Sequence, residues 1–128
     1  MFKLKIQPRR VLYDLKTKAV EYYNNPQKLK ALLQSTNLTI KDNAQLANLI
    51  EDIQALVSLV MDYTKKRYRA VSKTTVITII AGLLYLVNPM DLIPDFFVGG
   101  FIDDAAVIGY VLTKIKDELD RYKEWKKI

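Results

Sequence analysis

The sequence contains no cysteine and no histidine, and it has only four prolines and four glycines among its 128 residues. Without cysteine there is neither disulfide nor thiolate chemistry, and without histidine the usual zinc sites and the commonest general base are missing. The scarcity of proline and glycine argues against strands joined by tight turns and favours long helices. Much of the enzyme repertoire is therefore excluded, and an all-α fold is predicted.

The sequence also lacks a secretory signal, since the N-terminal "MFKLKIQPRR" interleaves charged and apolar residues. We therefore expect a cytoplasmic protein. Half of the residues are apolar and 27% are charged, which is typical of a folded globular protein. A chain of this length buries one modest core, so residues 1–128 are predicted to form a single domain.

Apolar residues recur at helical spacing along most of the chain. Pro8 begins a helical pattern that "NNP" ends, and Asn25 is predicted to cap a short second helix. The segment "STNLTIKDN" is polar and predicts a turn. The longest amphipathic pattern follows and predicts a long helix from about Asn43. Ser72 is predicted to cap the next helix.

The body of that next helix, "VITIIAGLLYLV" (Val76–Val87), is apolar on every face, which predicts the central helix of a bundle. Its twelve residues fall short of the ~20 that a bilayer crossing needs. A last helix is predicted from about Ile102. We expect about five helices with a central apolar helical hairpin. The prediction divides the chain into three parts. An N-terminal arm would span residues 1–10, helices that cover the hairpin would span 11–70, and the hairpin itself would span 71–125.

Charge is distributed unevenly along the chain. Residues 74–113 contain four aspartates and no basic residue, so this segment carries −4 and the rest carries +10. Basic residues on both sides of it predict a surface that binds anionic lipid headgroups, and the alternative is that they are only solvated helix ends. The predicted basic surface consists of Lys65, Lys66, Arg67, Arg69, Lys73, Lys114 and Lys116.

Four carboxylates stand in the apolar segment "NPMDLIPDFFVGGFIDD" (88–104). They suit the capping of helix N-termini, where they accept hydrogen bonds from free backbone amides. Oxygen ligands near a glycine-rich turn also suit a Mg²⁺ or Ca²⁺ site, although no cofactor is required. A third interpretation is an ionic lock to Arg67 or Arg69. The candidate ligands are Asp91, Asp95, Asp103 and Asp104.

The stretch "YLVNPMDLIPDFFVGGFIDDAAVIGYVL" resembles the signature of the YkvA-like family, the bacterial domain of unknown function 1232, over roughly residues 79–112. The resemblance implies no particular activity, because members of the family are commonly described only as membrane-associated or predicted membrane proteins. Besides the aspartates, the matching motif residues are Pro89, Leu92, Ile93, Pro94 and Gly99 or Gly100.

These observations predict a small noncatalytic interaction or scaffold protein of the YkvA-like type, peripheral at the inner face of the membrane through its basic flanks. Its expected partner is an anionic membrane surface or another protein. The sequence is also compatible with a homo-oligomer. One alternative is a divalent-cation-binding protein or metal-dependent enzyme that uses the aspartates. Another is nonspecific binding of nucleic acid through the basic surface, with a dedicated nucleic-acid role disfavoured because no reader motif is present.

Overall fold

The computed structural model describes residues 8–41, 44–87 and 104–127, and every regular element within these ranges is helical. The all-α prediction is confirmed. A 3₁₀ helix at Ala44–Leu49 precedes the fourth of seven α-helices. These are α1 (Pro8–Asp14), α2 (Lys16–Tyr23), α3 (Pro26–Lys41), α4 (Ile50–Thr64), α5 (Lys73–Val87), α6 (Asp104–Lys114) and α7 (Lys116–Lys126).

The described ranges thus hold seven helices where about five were predicted, because two rods are each interrupted at one residue. Leu15 (φ −90°, ψ −2°) separates α1 from α2, and Ile115 (φ −111°, ψ 20°) separates α6 from α7. The amide of Leu15 still bonds the carbonyl of Val11 at 3.1 Å, and that of Ile115 bonds Val111 at 3.0 Å. The backbone ladder therefore runs through both bends, and neither proline nor glycine marks them in the sequence.

Two predicted helix caps are confirmed. The side chain of Asn25 accepts a hydrogen bond of 3.1 Å from the amide of Lys28, which satisfies one free donor at the start of α3. The Ser72 hydroxyl oxygen accepts one of 3.1 Å from the amide of Thr75 at the start of α5. Both helices therefore begin where their capping residues indicate.

Two predicted boundaries are wrong. The polar segment expected to form a turn after Gln34 instead continues α3 as far as Lys41. Thr36 is fully buried there and its hydroxyl donates to the carbonyl of Leu32 at 2.9 Å, so a residue with turn preference is accommodated inside the helix. The following helix α4 begins at Ile50 rather than near Asn43, because the 3₁₀ helix precedes it.

Helix α5 lies at the centre of the described structure, as its uniformly apolar sequence predicted. It contacts α1, α2, α3, α4 and α6, and ten of its fifteen residues are buried. Gly82 permits the close approach of α6, since a Cβ atom at Gly82 would lie 3.0 Å from Cγ2 of Val111. Among the described helices, none has the length and apolar character needed to cross a membrane.

The end of α4 adopts the Schellman arrangement around Lys66, whose φ of 63° is left-handed. The amide of Arg67 bonds the carbonyl of Asp62 at 2.8 Å, and the amide of Lys66 bonds that of Tyr63 at 3.1 Å. Glycine usually occupies this position because it has no Cβ. Here a lysine takes it, so the backbone turns sharply away from α4 while presenting a cationic side chain.

Candidate functional site

The predicted basic residues lie next to helix ends, in the connection before α5, at its first residue and at the bend between α6 and α7. Lys65 to Arg69 belong to the connection between α4 and α5, Lys73 is the first residue of α5, and Lys114 and Lys116 flank the bend between α6 and α7. Glu118 joins these segments, because its carboxylate accepts hydrogen bonds from the amide of Ser72 at 3.2 Å and from the hydroxyl of Thr75. We call this region the basic end, defined by Lys65, Lys66, Arg67, Arg69, Lys73, Lys114 and Lys116.

Two of these cations stack on a pair of tyrosines. The hydroxyl groups of Tyr23 and Tyr63 are 2.8 Å apart, within hydrogen-bond distance. The Arg69 guanidinium lies 4.2 Å from the centre of the Tyr63 ring, and the Lys73 ammonium lies 5.2 Å from that of Tyr23. The hydrogen bond with Tyr23, together with burial, raises the pKa of Tyr63. The cluster holds both cations at the surface without neutralising their charge.

Only part of the basic end is paired with acids. Arg67 lies 3.7 Å from Oδ1 of Asp62, and Lys116 lies 2.8 Å from Oδ2 of Asp120. The ion pairs formed within the described ranges include none of the other five basic residues. The basic end therefore keeps an excess of positive charge at its surface, and the members without an acidic partner are Lys65, Lys66, Arg69, Lys73 and Lys114.

Asp62 is a buried charge that the sequence did not reveal. Its residue is 3% exposed, and its Oδ2 accepts hydrogen bonds from the hydroxyl of Tyr122 at 2.6 Å and from Nζ of Lys126 at 2.8 Å. The Tyr122 hydroxyl also lies within hydrogen-bond distance of the Ser58 hydroxyl. The sequence carried one signal of this burial. Asp62 follows Leu59 by three residues and Ala55 by seven, a spacing that places it on the same face of a broadly apolar helix.

The surroundings of Asp62 keep it ionised. Burial by itself raises the pKa of this carboxyl, but the hydrogen bonds from Lys126 and Tyr122 and the nearby charge of Arg67 outweigh burial and lower it. The hydrogen bond to Asp62 raises the pKa of Lys126. This arrangement is a satisfied ion pair that fastens α7 to the end of α4, and it contains no group poised for proton transfer near neutral pH.

A second ion pair fixes the position of α7 against α4. The ammonium group of Lys123 lies 2.8 Å from Oδ1 of Asp52, in the first turn of α4. Near the other end, the ring of Trp125 lies 4.9 Å from that of Tyr68, and Trp125 is half-exposed. Helix α7 therefore covers both α4 and the connection that carries much of the basic end.

The aspartate predictions fall largely outside the described residues. Asp91, Asp95 and Asp103 lie there, and Asp104 is the first residue of α6, although its side chain is not described. The cation site and the capping roles remain predictions. The ionic lock also remains one, and Arg67 and Arg69 have other partners, Asp62 and Tyr63. The motif residues outside the described ranges are Pro89, Leu92, Ile93, Pro94, Gly99 and Gly100.

Over the residues that the structure describes, the chain is all-helical, with a buried apolar central helix and exposed lysines and arginines in the connection before that helix. The family model described as "Protein of unknown function (DUF1232)" matches residues 75–110. The "Uncharacterized membrane protein YkvA" of Bacillus subtilis (strain 168) is 40% identical over 78 residues, which are 60% of this chain and 74% of that protein. The chain therefore belongs to the YkvA-like family, DUF1232. No solved structure matches it.

Proposed function

We propose that this protein is noncatalytic and docks on anionic membrane surfaces through its basic end. The observation that carries the proposal is that five exposed cations of the basic end have no acidic partner in the described ranges, and that four of them, among them Lys65 and Lys66, lie between the end of α4 and the first residue of α5. Each lysine or arginine near an anionic leaflet contributes about 1 kcal/mol to binding. Several such residues on one surface suffice for a reversible attachment.

The aromatic side chains of the same region support this proposal. Trp125 is half-exposed and packs on Tyr68, which belongs to the connection between α4 and α5. Tryptophan has an apolar body and one polar N–H group, and it is enriched where membrane and water meet. The description of the Bacillus subtilis relative as a membrane protein agrees with this role.

The experiment is co-sedimentation with vesicles of phosphatidylcholine alone and with vesicles of equimolar phosphatidylcholine and phosphatidylglycerol. We expect binding only to the anionic vesicles, and binding that weakens as salt is added, because screening shortens the reach of surface charges. Failure to bind anionic vesicles at low salt, or equal binding to both compositions, would overturn the proposal.

A charge-reversal pair identifies the surface. Reversing two cations in Lys65→Glu/Lys66→Glu removes at least about 2 kcal/mol of attraction, so the affinity for anionic vesicles should fall roughly 30-fold. The matched control is Lys18→Glu/Lys41→Glu, which changes the net charge equally at exposed positions outside the basic end. Equal losses in the two variants would show a general charge effect and would remove the basic end from the proposal.

A DNA duplex serves as a second polyanion in the same assay. Phosphate backbones attract any cationic surface, and that attraction falls steeply with salt. We expect the duplex to bind more weakly than the anionic vesicles at equal salt. Tighter binding to the duplex would favour the nucleic-acid interpretation of the basic surface instead.

A further inference from the structure

A groove of about 260 Å³ runs between α1, the start of α2, α5 and α6. Its α5 wall follows one stripe of the helix from Thr74 to Ala81, which is about 10 Å of helix length. The groove is lined by Arg9, Leu12, Tyr13, Lys16, Thr74, Ile77, Thr78, Ala81, Tyr110 and Lys114.

The groove has an apolar floor and a cationic rim. Leu12 and Ala81 are buried in its floor, and Ile77 is half-buried beside them. Arg9 and Lys16 are exposed on its rim, and no acidic side chain is among the described residues that line it. Such a surface is complementary to a molecule with an apolar body and an anionic head, because cations on the rim attract the head while the floor shields the body from water.

We infer that this groove binds a monoacyl anionic lipid, with the alkyl chain along Leu12, Ile77 and Ala81 and the anionic head beside Arg9 and Lys16. The inference goes beyond the proposed function, since it requires one lipid molecule and no bilayer. A volume of about 260 Å³ lies near the lower end of small-molecule sites, which favours a single alkyl chain over a peptide helix ~10 Å across.

Two tyrosines that line the groove are also suited to an amphiphile, because each has an apolar ring and a polar hydroxyl group. Tyr13 is 74% exposed on the rim, although a large aromatic side chain usually gains from burial. Tyr110 is half-buried on the opposite wall, with the Lys114 ammonium 6.0 Å from its ring centre. A bound alkyl chain would cover apolar surface of both rings, and their hydroxyl groups would stay in water beside the anionic head.

The test is isothermal titration calorimetry of the full chain with decanoate, below the concentration at which decanoate forms micelles. We expect saturable binding of one decanoate per chain. Decanol has the same alkyl chain without the charge, and it should bind at least tenfold more weakly. Acetate has the charge without the chain and should give no measurable heat. Equal affinity for decanoate and decanol, or no saturable binding of decanoate, would overturn the inference.

Two variants locate the site. Arg9→Glu/Lys16→Glu should weaken decanoate binding at least tenfold, whereas the single control Lys18→Glu, at an exposed position of α2 that does not line the groove, should leave it unchanged. Thr78→Phe places a ring in the groove and should abolish binding, with circular dichroism verifying the fold. Unaltered decanoate binding in both groove variants would exclude this site.

The two proposals fail separately. Lys114 belongs to both the basic end and the groove rim, so it is left intact in every variant. Loss of vesicle binding in Lys65→Glu/Lys66→Glu with normal decanoate binding would support both assignments. Decanoate binding by a chain that never binds anionic vesicles would overturn the proposed function and leave the groove assignment standing.

Discussion

The hydroxyl group of Tyr122 donates a hydrogen bond of 2.6 Å to Oδ2 of Asp62, and it joins two residues that are 60 positions apart in the chain. Both side chains are buried, and Lys126 completes the shell of the carboxylate at 2.8 Å. A buried charge is tolerated only where hydrogen bonds and an opposite charge replace its hydration. Tyr122 and Lys126 both belong to α7, so Asp62 can be buried only when α7 is in place.

The replacement Tyr122→Phe should lower the free energy of unfolding by about 1.5–3 kcal/mol, because it removes a hydrogen bond to a buried carboxylate and leaves the ring in place. Urea denaturation followed by circular dichroism measures the change. The matched control is Asp120→Ala, which breaks the exposed Lys116–Asp120 pair on the same helix and should have a much smaller effect. Equal losses in the two variants would contradict the role given to Tyr122.

Stability should decrease at acidic pH partly because of Asp62. Its pKa is lowered on folding, so its contribution is complete above the pKa of an unfolded aspartate, about 3.9, and is lost as the pH falls through the lower folded value. The Asp62→Asn variant should be less stable at neutral pH, and its deficit should shrink as the pH is lowered to about 3. Urea midpoints of the variant and the parent protein across this pH range measure the difference in stability. A difference that does not change with pH would contradict the prediction.

Replacing Lys66 with glycine should stabilise the protein by about 1 kcal/mol, since a left-handed backbone is costly for any residue with a Cβ. The control Lys65→Gly removes the same charge at a neighbouring residue whose φ is −85°. Glycine has no conformational advantage there and should destabilise by about 0.5–1 kcal/mol. Thermal unfolding of the two variants should therefore shift in opposite directions, and a shared direction would argue against the backbone explanation.

Two glycines should respond oppositely to alanine. Gly82→Ala places a Cβ 3.0 Å from Cγ2 of Val111 and should destabilise by about 1–3 kcal/mol through overpacking between α5 and α6. Gly109→Ala meets nothing within 4 Å and should stabilise α6 by about 0.5–1 kcal/mol. Adding Val111→Ala to Gly82→Ala should relieve the clash, and urea midpoints of these three variants and of the parent protein measure the shifts. Similar shifts for both glycine variants would contradict the close approach.

Local signals in the sequence were sufficient for much of the fold. The uniform apolarity of Val76–Val87 predicted a buried helix, and Asn25 and Ser72 predicted helix starts. Each of these signals acts within one or two turns of the chain. Residues close in sequence are enough to specify them.

Features that depend on distant contacts were not predictable. Thr36 has a turn preference, yet its burial in the core keeps α3 helical beyond it. Asp62 is acceptable only because Tyr122 and Lys126 return to it from the last helix. The left-handed turn at Lys66 lacks the glycine that would have indicated it. For the site, the sequence lists the cations of the basic end but does not show which of them have acidic partners, and their role as a binding surface stays a prediction.

Trp125 is the single tryptophan of the chain, and its ring lies 4.9 Å from Tyr68 and 5.9 Å from Tyr122. Its intrinsic fluorescence therefore reports on one contact, the packing of α7 against the connection before α5. Detachment of that helix would hydrate the indole and shift its emission to the red, whereas contact with acyl chains would shift it to the blue. Tryptophan emission thus distinguishes detachment of α7 from contact with lipid, without an added label.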